Sequence, residues 1–159
     1  MILIAFGSNL PGPWGKPLQT VERAAQELEA QGICVVRMSS LIETAPYGNP
    51  NQPKFINAVA LVETHKSPDA LMRCLHMIER RAGRKRGRRW GARTLDLDLI
   101  AYHGLVRLKK SLDINPLVLP HPGILLRSFV LQPIAEIAPR WRHPKTFQTA
   151  NDALRKLGH

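Results

Sequence analysis

The sequence predicts an α+β fold in which an antiparallel sheet carries two helices on one face, and three observations predict it. Strand-length apolar runs and stretches of helical spacing follow one another in the order β-α-β-β-α-β; the first run is apolar throughout; the last strand alternates carboxylates with leucines. That order describes the ferredoxin-like split unit. A chain of 159 residues fits one domain, 1–159, and a domain of this size buries roughly 70% of the surface its unfolded chain exposes, so it needs no disulfide or structural metal.

The first element is ILIAFG, Ile2 to Gly7, ended by Ser8 and Asn9. A short run without polar interruption reads as a buried, central strand. From Pro17, residues Leu18, Val21, Ala24, Ala25 and Leu28 recur at helical spacing, with proline tolerated at the first position and Gly32 able to stop the helix. ICVVRMSSLIET and FINAVALVET read as long strands joined by the turn-forming APYGNPNQPK. Ser67 is the N-cap of a second helix that starts at Pro68 and buries Leu71, Cys74, Leu75 and Ile78. TLDLDLIAY is the fourth strand. Beyond it lies an extension: a small hairpin over Gly104 to Lys110, a short helix in LRSFVLQPIAEI and a C-terminal helix in ANDALRKL.

Two cysteines, Cys34 and Cys74, stand far apart without ligand spacing and read as small buried hydrophobes, as suits a reducing cytoplasm. The opening MILIAF is too short for a signal segment and no run approaches membrane-spanning length, so no membrane partner is expected.

The net charge of +11 is local: Arg80 to Arg93 hold eight cations and no acid, leaving +3 for the rest. A compact polyphosphate suits such a patch at least as well as a nucleic-acid track. The acids follow directly. On a strand, Asp96 and Asp98 project to one face while Leu95, Leu97 and Leu99 project to the other. Two carboxylates about 5 to 6 Å apart repel by roughly 3 kcal/mol at an effective dielectric near 20, so the pair calls for cations. Magnesium, which is held by one or two carboxylates together with substrate phosphates, fits this arrangement. The D-x-D spacing alone is shared by glycosyltransferases and nucleases; the cations upstream, interleaved with Gly83, Gly87 and Gly91, narrow it to a phosphate-binding lid. GPWGKP is not a P-loop, because Leu10 and Pro17 stand where a glycine and a Ser or Thr are required.

RWGARTLDLDLI, Arg89 to Ile100, resembles the signature of the 6-hydroxymethyl-7,8-dihydropterin pyrophosphokinase family. FGSNL, ETAPYGNPNQPKFINAV, IERRAGRKR and LPHPGILLRSFVLQPIAEIAP agree with the same family in order and spacing, so the likeness covers nearly the whole chain. It implies transfer of pyrophosphate from ATP to the pterin hydroxymethyl oxygen, giving AMP and the pterin diphosphate in folate biosynthesis, with two Mg²⁺ ions held by Asp96 and Asp98. By matching position it implies a catalytic loop containing Arg84, Arg86, Arg89, Trp90 and Arg93, of which Arg84 and Arg93 are catalytic; Glu79, Arg86, Arg89, Trp90, His121 and Arg127 would contact ATP. Phe55 and Phe129 would stack on the pterin, Asn57 would read its edge, and backbone groups near Thr44, Pro46 and Tyr47 would complete the site. Arginine suits the phosphate role because its planar fork bonds two oxygens at once. The resemblance implies ATP and the pterin as partners and a monomeric, cytoplasmic enzyme without nucleic acid. The chain departs from the family pattern in a catalytic loop one residue shorter, in His76 and Ala92, and in Pro122 and Gly123 after the histidine. The proton acceptor is left open between metal activation and Asp98.

Two other classes fit parts of the pattern. An RNA-binding ferredoxin-like module would need glycine and repeated aromatics in the third strand, where KFINAVALVET has one aromatic and no glycine, and the chain holds only nine aromatic residues. A two-metal nuclease would need more acids near Asp96 and Asp98 than this chain offers.

Overall fold

The computed structural model describes residues 1–46, 50–85, 92–109 and 116–159. Among the described residues the elements are β1 (Ile2–Ser8), α1 (Pro17–Ala30), β2 (Cys34–Met38), β3 (Ile42–Thr44), β4 (Phe55–Glu63), α2 (Pro68–Arg81), β5 (Asp96–Tyr102), a 3₁₀ turn (Ile124–Leu126), α3 (Ser128–Ile137) and α4 (Ala150–Lys156). The strands form an antiparallel sheet in the order β2-β4-β1-β5, with β3 also paired to β4. This is the ferredoxin-like arrangement, and β1 is central and buried along its whole length.

One sheet face, with Ile2, Ile4, Phe6, Ala58, Ala60, Leu97 and Leu99, packs on α1 and α2 through Val21, Leu28, Leu71, Leu75 and Ile78. The opposite face, with Leu3, Ala5, Val59 and Ile100, packs on α3 and α4 through Val130, Leu131, Ile134, Ala150 and Leu154. The extension is thus a third layer. It covers the face that an RNA-binding sheet of this topology leaves open for stacking.

The helices end as their sequences direct. Ser67 Oγ accepts the Ala70 amide, Asp69 lies in the first turn of α2 and Arg80 and Arg81 in its last, all complementing the helix dipole. Gly32 (φ +77°) closes α1, with Gly32 N–H donating to Glu29 and Ile33 N–H to Leu28.

Several expectations are corrected. The strand expected over 33–44 breaks into β2 and β3, because Ser39 turns its hydroxyl onto Val59 N–H (2.9 Å) and Ser40 is held by Glu136 of α3 (N–H to Oε1, 3.0 Å). Cys34 is exposed on the edge strand β2, while Cys74 is buried in α2. Leu18 is exposed, since the buried stripe of α1 runs through Val21, Ala24 and Leu28. No hairpin forms among the described residues of 104–109: a turn closed by Leu105 N–H on Tyr102 C=O sends Arg107 to pair with Leu119 instead. No described helix is long and apolar enough to cross a membrane.

Candidate active site

The site lies on the α3 side of the sheet, at the end where that layer stops. The register aligns Asn57, Gly7 and Asp96 across β4, β1 and β5, and one step inward Val59, Ala5 and Asp98. Small residues on the central strand leave space between the polar side chains of its neighbours. The resulting cavity is about 370 Å³, in the size range of small-molecule pockets. Its walls include Thr44, Phe55, Asn57, Arg93, Asp96, Asp98, His121, Arg127 and Phe129. A Cβ on Gly7 would lie 3.3 Å from Asn57 Oδ1 and 3.8 Å from Phe55 Cδ1, so any side chain here would crowd the Asn57 amide.

Asp96 and Asp98 share this face as their spacing predicts, and Leu97 and Leu99 are buried behind them. Asp96 is held from two sides, by Arg84 Nη1 on Oδ1 (2.9 Å) and Arg93 Nη1 on Oδ2 (3.1 Å). Asp98 has its carboxyl pushed up to about 7, by burial first and then by the charge of Asp96, against Arg127, Arg84 and Arg93. Among the described residues no three His, Cys, Asp or Glu side chains converge on a metal position. Two carboxylates without a full protein shell suit a cation that completes its octahedron with phosphate oxygens and water, so the donor set fits magnesium.

The local sequence explains how Arg84 reaches Asp96. Gly83 (φ +88°) ends α2 in a left-handed turn; its N–H donates to Arg80 and the Arg84 N–H returns to Glu79 C=O (3.1 Å). Pro13 packs where a Gly83 side chain would be: a Cβ there would lie 2.6 Å from Pro13 Cδ. The turn brings the Arg84 guanidinium onto the Glu79 carboxylate, which also accepts Leu97 N–H from β5 (2.9 Å). Burial pushes Glu79 up to about 7, opposed by the Leu97 amide and the Arg84 charge. Burial also works against the charge of Arg84, yet Asp96 and Glu79 hold its pKa above normal. Glu79 is only 4% exposed and does not line the cavity; it stands behind β5 as the anchor of Arg84.

Asn9 was not singled out by sequence reasoning. Its Oδ1 accepts Arg93 N–H (2.8 Å), its own N–H donates to Arg93 C=O (3.0 Å), and its Nδ2 donates to Gln52 Oε1 and Pro53 C=O (both 3.0 Å). One buried amide thereby joins the end of β1 to the segments before β4 and β5. The signal was an asparagine directly after an all-buried strand, a buried polar group that requires partners.

At the other wall, Asn57 Nδ2 donates to Thr44 Oγ1 (2.5 Å), which orients the amide with Oδ1 beside Gly7. Phe55 and Phe129 face the same cavity from β4 and α3, and Pro46 is described but is not among its lining residues. His121 is docked on β5: a β-bulge leaves Ile100 without a partner on β1, and Ile100 C=O accepts His121 N–H (2.8 Å). Burial, then the Arg127 charge, hold the His121 imidazole down to about 4, against Asp96. Tyr47, Arg86, Arg89 and Trp90, and with them the expected lid, lie outside the described residues.

Fold and site together define a class: a ferredoxin-like domain whose sheet end sets paired carboxylates and arginines beside an aromatic-walled pocket. The family model described as 7,8-dihydro-6-hydroxymethylpterin-pyrophosphokinase (HPPK) matches residues 3–139, and the chain belongs to that family. It is 38% identical over 148 residues to the 2-amino-4-hydroxy-6-hydroxymethyldihydropteridine pyrophosphokinase of Synechocystis sp., covering 92% of this chain and 71% of that one. It is 39% identical over 136 residues to the mitochondrial folate synthesis bifunctional protein of Arabidopsis thaliana, covering 86% of this chain but 23% of the relative, so it spans less than a quarter of that protein. Among solved structures, wild-type Plasmodium falciparum HPPK-DHPS with SDX-DHP superposes with a TM-score of 0.73 at 12% identity, over 98% of this chain and 43% of that one. That likeness shows the fold.

Proposed function

We propose that this chain transfers the pyrophosphoryl group of ATP to the hydroxymethyl oxygen of 6-hydroxymethyl-7,8-dihydropterin. The observation that carries the reading is Asp96, gripped by Arg84 and Arg93 at the rim of a pocket walled by Phe55, Asn57 and Phe129. The pterin lies between the two phenylalanines, and the Asn57 carbonyl, with its amide nitrogen engaged by Thr44, accepts from the ring's N–H edge. Arg127 and His121 line the same cavity and would contact the triphosphate. Arg86, Arg89 and Trp90 keep their nucleotide role on the family pattern alone.

In the reaction the hydroxymethyl oxygen bonds to the β-phosphorus of ATP. The bond from that phosphorus to the α,β-bridging oxygen breaks, AMP leaves with the oxygen, and the hydroxyl proton is released. Asp96 and Asp98 would hold magnesium, which supplies charge neutralisation on the phosphate oxygens when bound. Arg84 and Arg93, which both hold Asp96, would stabilise the charge that develops as the bridge breaks. Positioning of two substrates does most of the work.

Chromatographic analysis of nucleotides after incubation with MgATP and the pterin tests the reading. Pterin-dependent AMP that disappears in Asp96→Ala supports it; ADP as the nucleotide product, or AMP that forms equally without pterin, overturns it. The sheet face needed by the RNA-binding alternative is occupied by α3 and α4, and the comparisons give that alternative no support.

A further inference from the structure

Gly123 touches two cavity residues at once. Its N–H points at His121 Nδ1 across 3.2 Å. A backbone amide can only donate, so Nδ1 accepts and the ring proton resides on Nε2. On its other side, a Cβ at residue 123 would lie 3.1 Å from Arg127 Nε and 3.5 Å from Cζ. The backbone does not require glycine here, since φ is −96°, open to any L residue; a Cβ would instead press on the Arg127 guanidinium.

We propose that Gly123 is a positioning residue for the phosphate-facing wall: its amide fixes His121 in the Nε2–H tautomer, and its missing side chain gives Arg127 its seat. The wall then offers only donors, an imidazole N–H beside a guanidinium, and selects an anionic, acceptor-only group such as a phosphate oxygen over any ligand that must donate there. The proposal rests on the pyrophosphokinase reading for the identity of the ligand, and the tautomer assignment stands apart from it.

The test uses the full chain labelled with ¹⁵N, free of ligand, at pH 7, with His121→Asn to assign the ring. Long-range ¹H–¹⁵N correlation is expected to show a protonated Nε2 and an unprotonated Nδ1, with scalar coupling across the bond from the Gly123 amide to Nδ1. A protonated Nδ1, or no coupling, overturns the first half. For the second half, MgATP binding is compared in wild type, Gly123→Ala and Gly104→Ala, a glycine with nothing near its would-be side chain. Gly123→Ala is expected to raise Kd by about tenfold, a difference of about 1.4 kcal/mol, with the His121 tautomer unchanged and Gly104→Ala behaving as wild type. Equal affinity in both variants overturns it. Failure of the wild type to bind MgATP would instead sink the pyrophosphokinase reading, while the ring spectrum still decides the tautomer.

Discussion

Arg84 Nη1 bridges two carboxylates, Asp96 Oδ1 at 2.9 Å on the cavity side and Glu79 on the buried side. The guanidinium is therefore aimed by a buried carboxylate that does not line the cavity. Replacing Glu79 with alanine removes one of the two acceptors of Arg84 and leaves the buried Leu97 N–H without its partner. Leaving one buried donor unpaired costs about 1–3 kcal/mol, so urea unfolding of Glu79→Ala is expected to show a loss of that size. Glu79→Gln, which keeps an acceptor for Leu97, recovers part of it. Unchanged midpoints in both variants would remove Glu79 from its anchoring role.

Gly7 separates Asn57 from Asp96 in the same sheet row. Alanine there intrudes on Asn57 Oδ1 and narrows the floor of the pocket. Gly7→Ala is expected to raise the KM for the pterin by roughly tenfold or more while leaving the Kd for MgATP within a factor of about two. Equal effects on both substrates would show that the floor is shared rather than belonging to the pterin side.

The buried amide of Asn9 ties Arg93 to the segment that holds Gln52 and Pro53. Asn9→Ala is expected to destabilise the protein by about 1–3 kcal/mol through the unpaired Arg93 amide. It should also lower kcat, because Arg93 loses its fixed backbone. Full activity in a destabilised Asn9→Ala would confine Asn9 to folding.

His121 is held down to about 4 from an ordinary value near 6.5. An unfolded chain takes up a proton below about 6.5 that the folded chain refuses until about 4, so the unfolded state binds more protons across that window and stability falls as pH falls through it. Wild type is therefore expected to lose stability relative to His121→Asn between pH 6.5 and 4 and to run parallel to it above. Parallel curves throughout would contradict the burial assigned to this imidazole.

Much of this architecture is legible in local pattern. The two-residue period pairs Asp96 with Asp98, Ser67 announces α2, and an unbroken apolar run makes β1 central. What escapes depends on distant chain. The break at Ser39 requires Val59 and Glu136 as partners, and the exposure of Cys34 follows from β2 being an edge. The apolar stripes of α3 and α4 mark buried faces but not which side of the sheet they cover. In the site, the family pattern points to Phe55, Asn57 and Phe129, whereas the route from Arg84 to Asp96 depends on the turn at Gly83, and the seating of His121 depends on the bulge that frees Ile100 C=O.

In the proposed reaction two phosphorus atoms move together onto the pterin. Phosphorus-31 NMR of the product mixture from wild type and Asp96→Asn, with MgATP and 6-hydroxymethyl-7,8-dihydropterin, reads this directly. AMP together with a pterin carrying two mutually coupled phosphorus resonances is expected, formed by wild type and not by the variant. A singly phosphorylated pterin accompanied by ADP would contradict it.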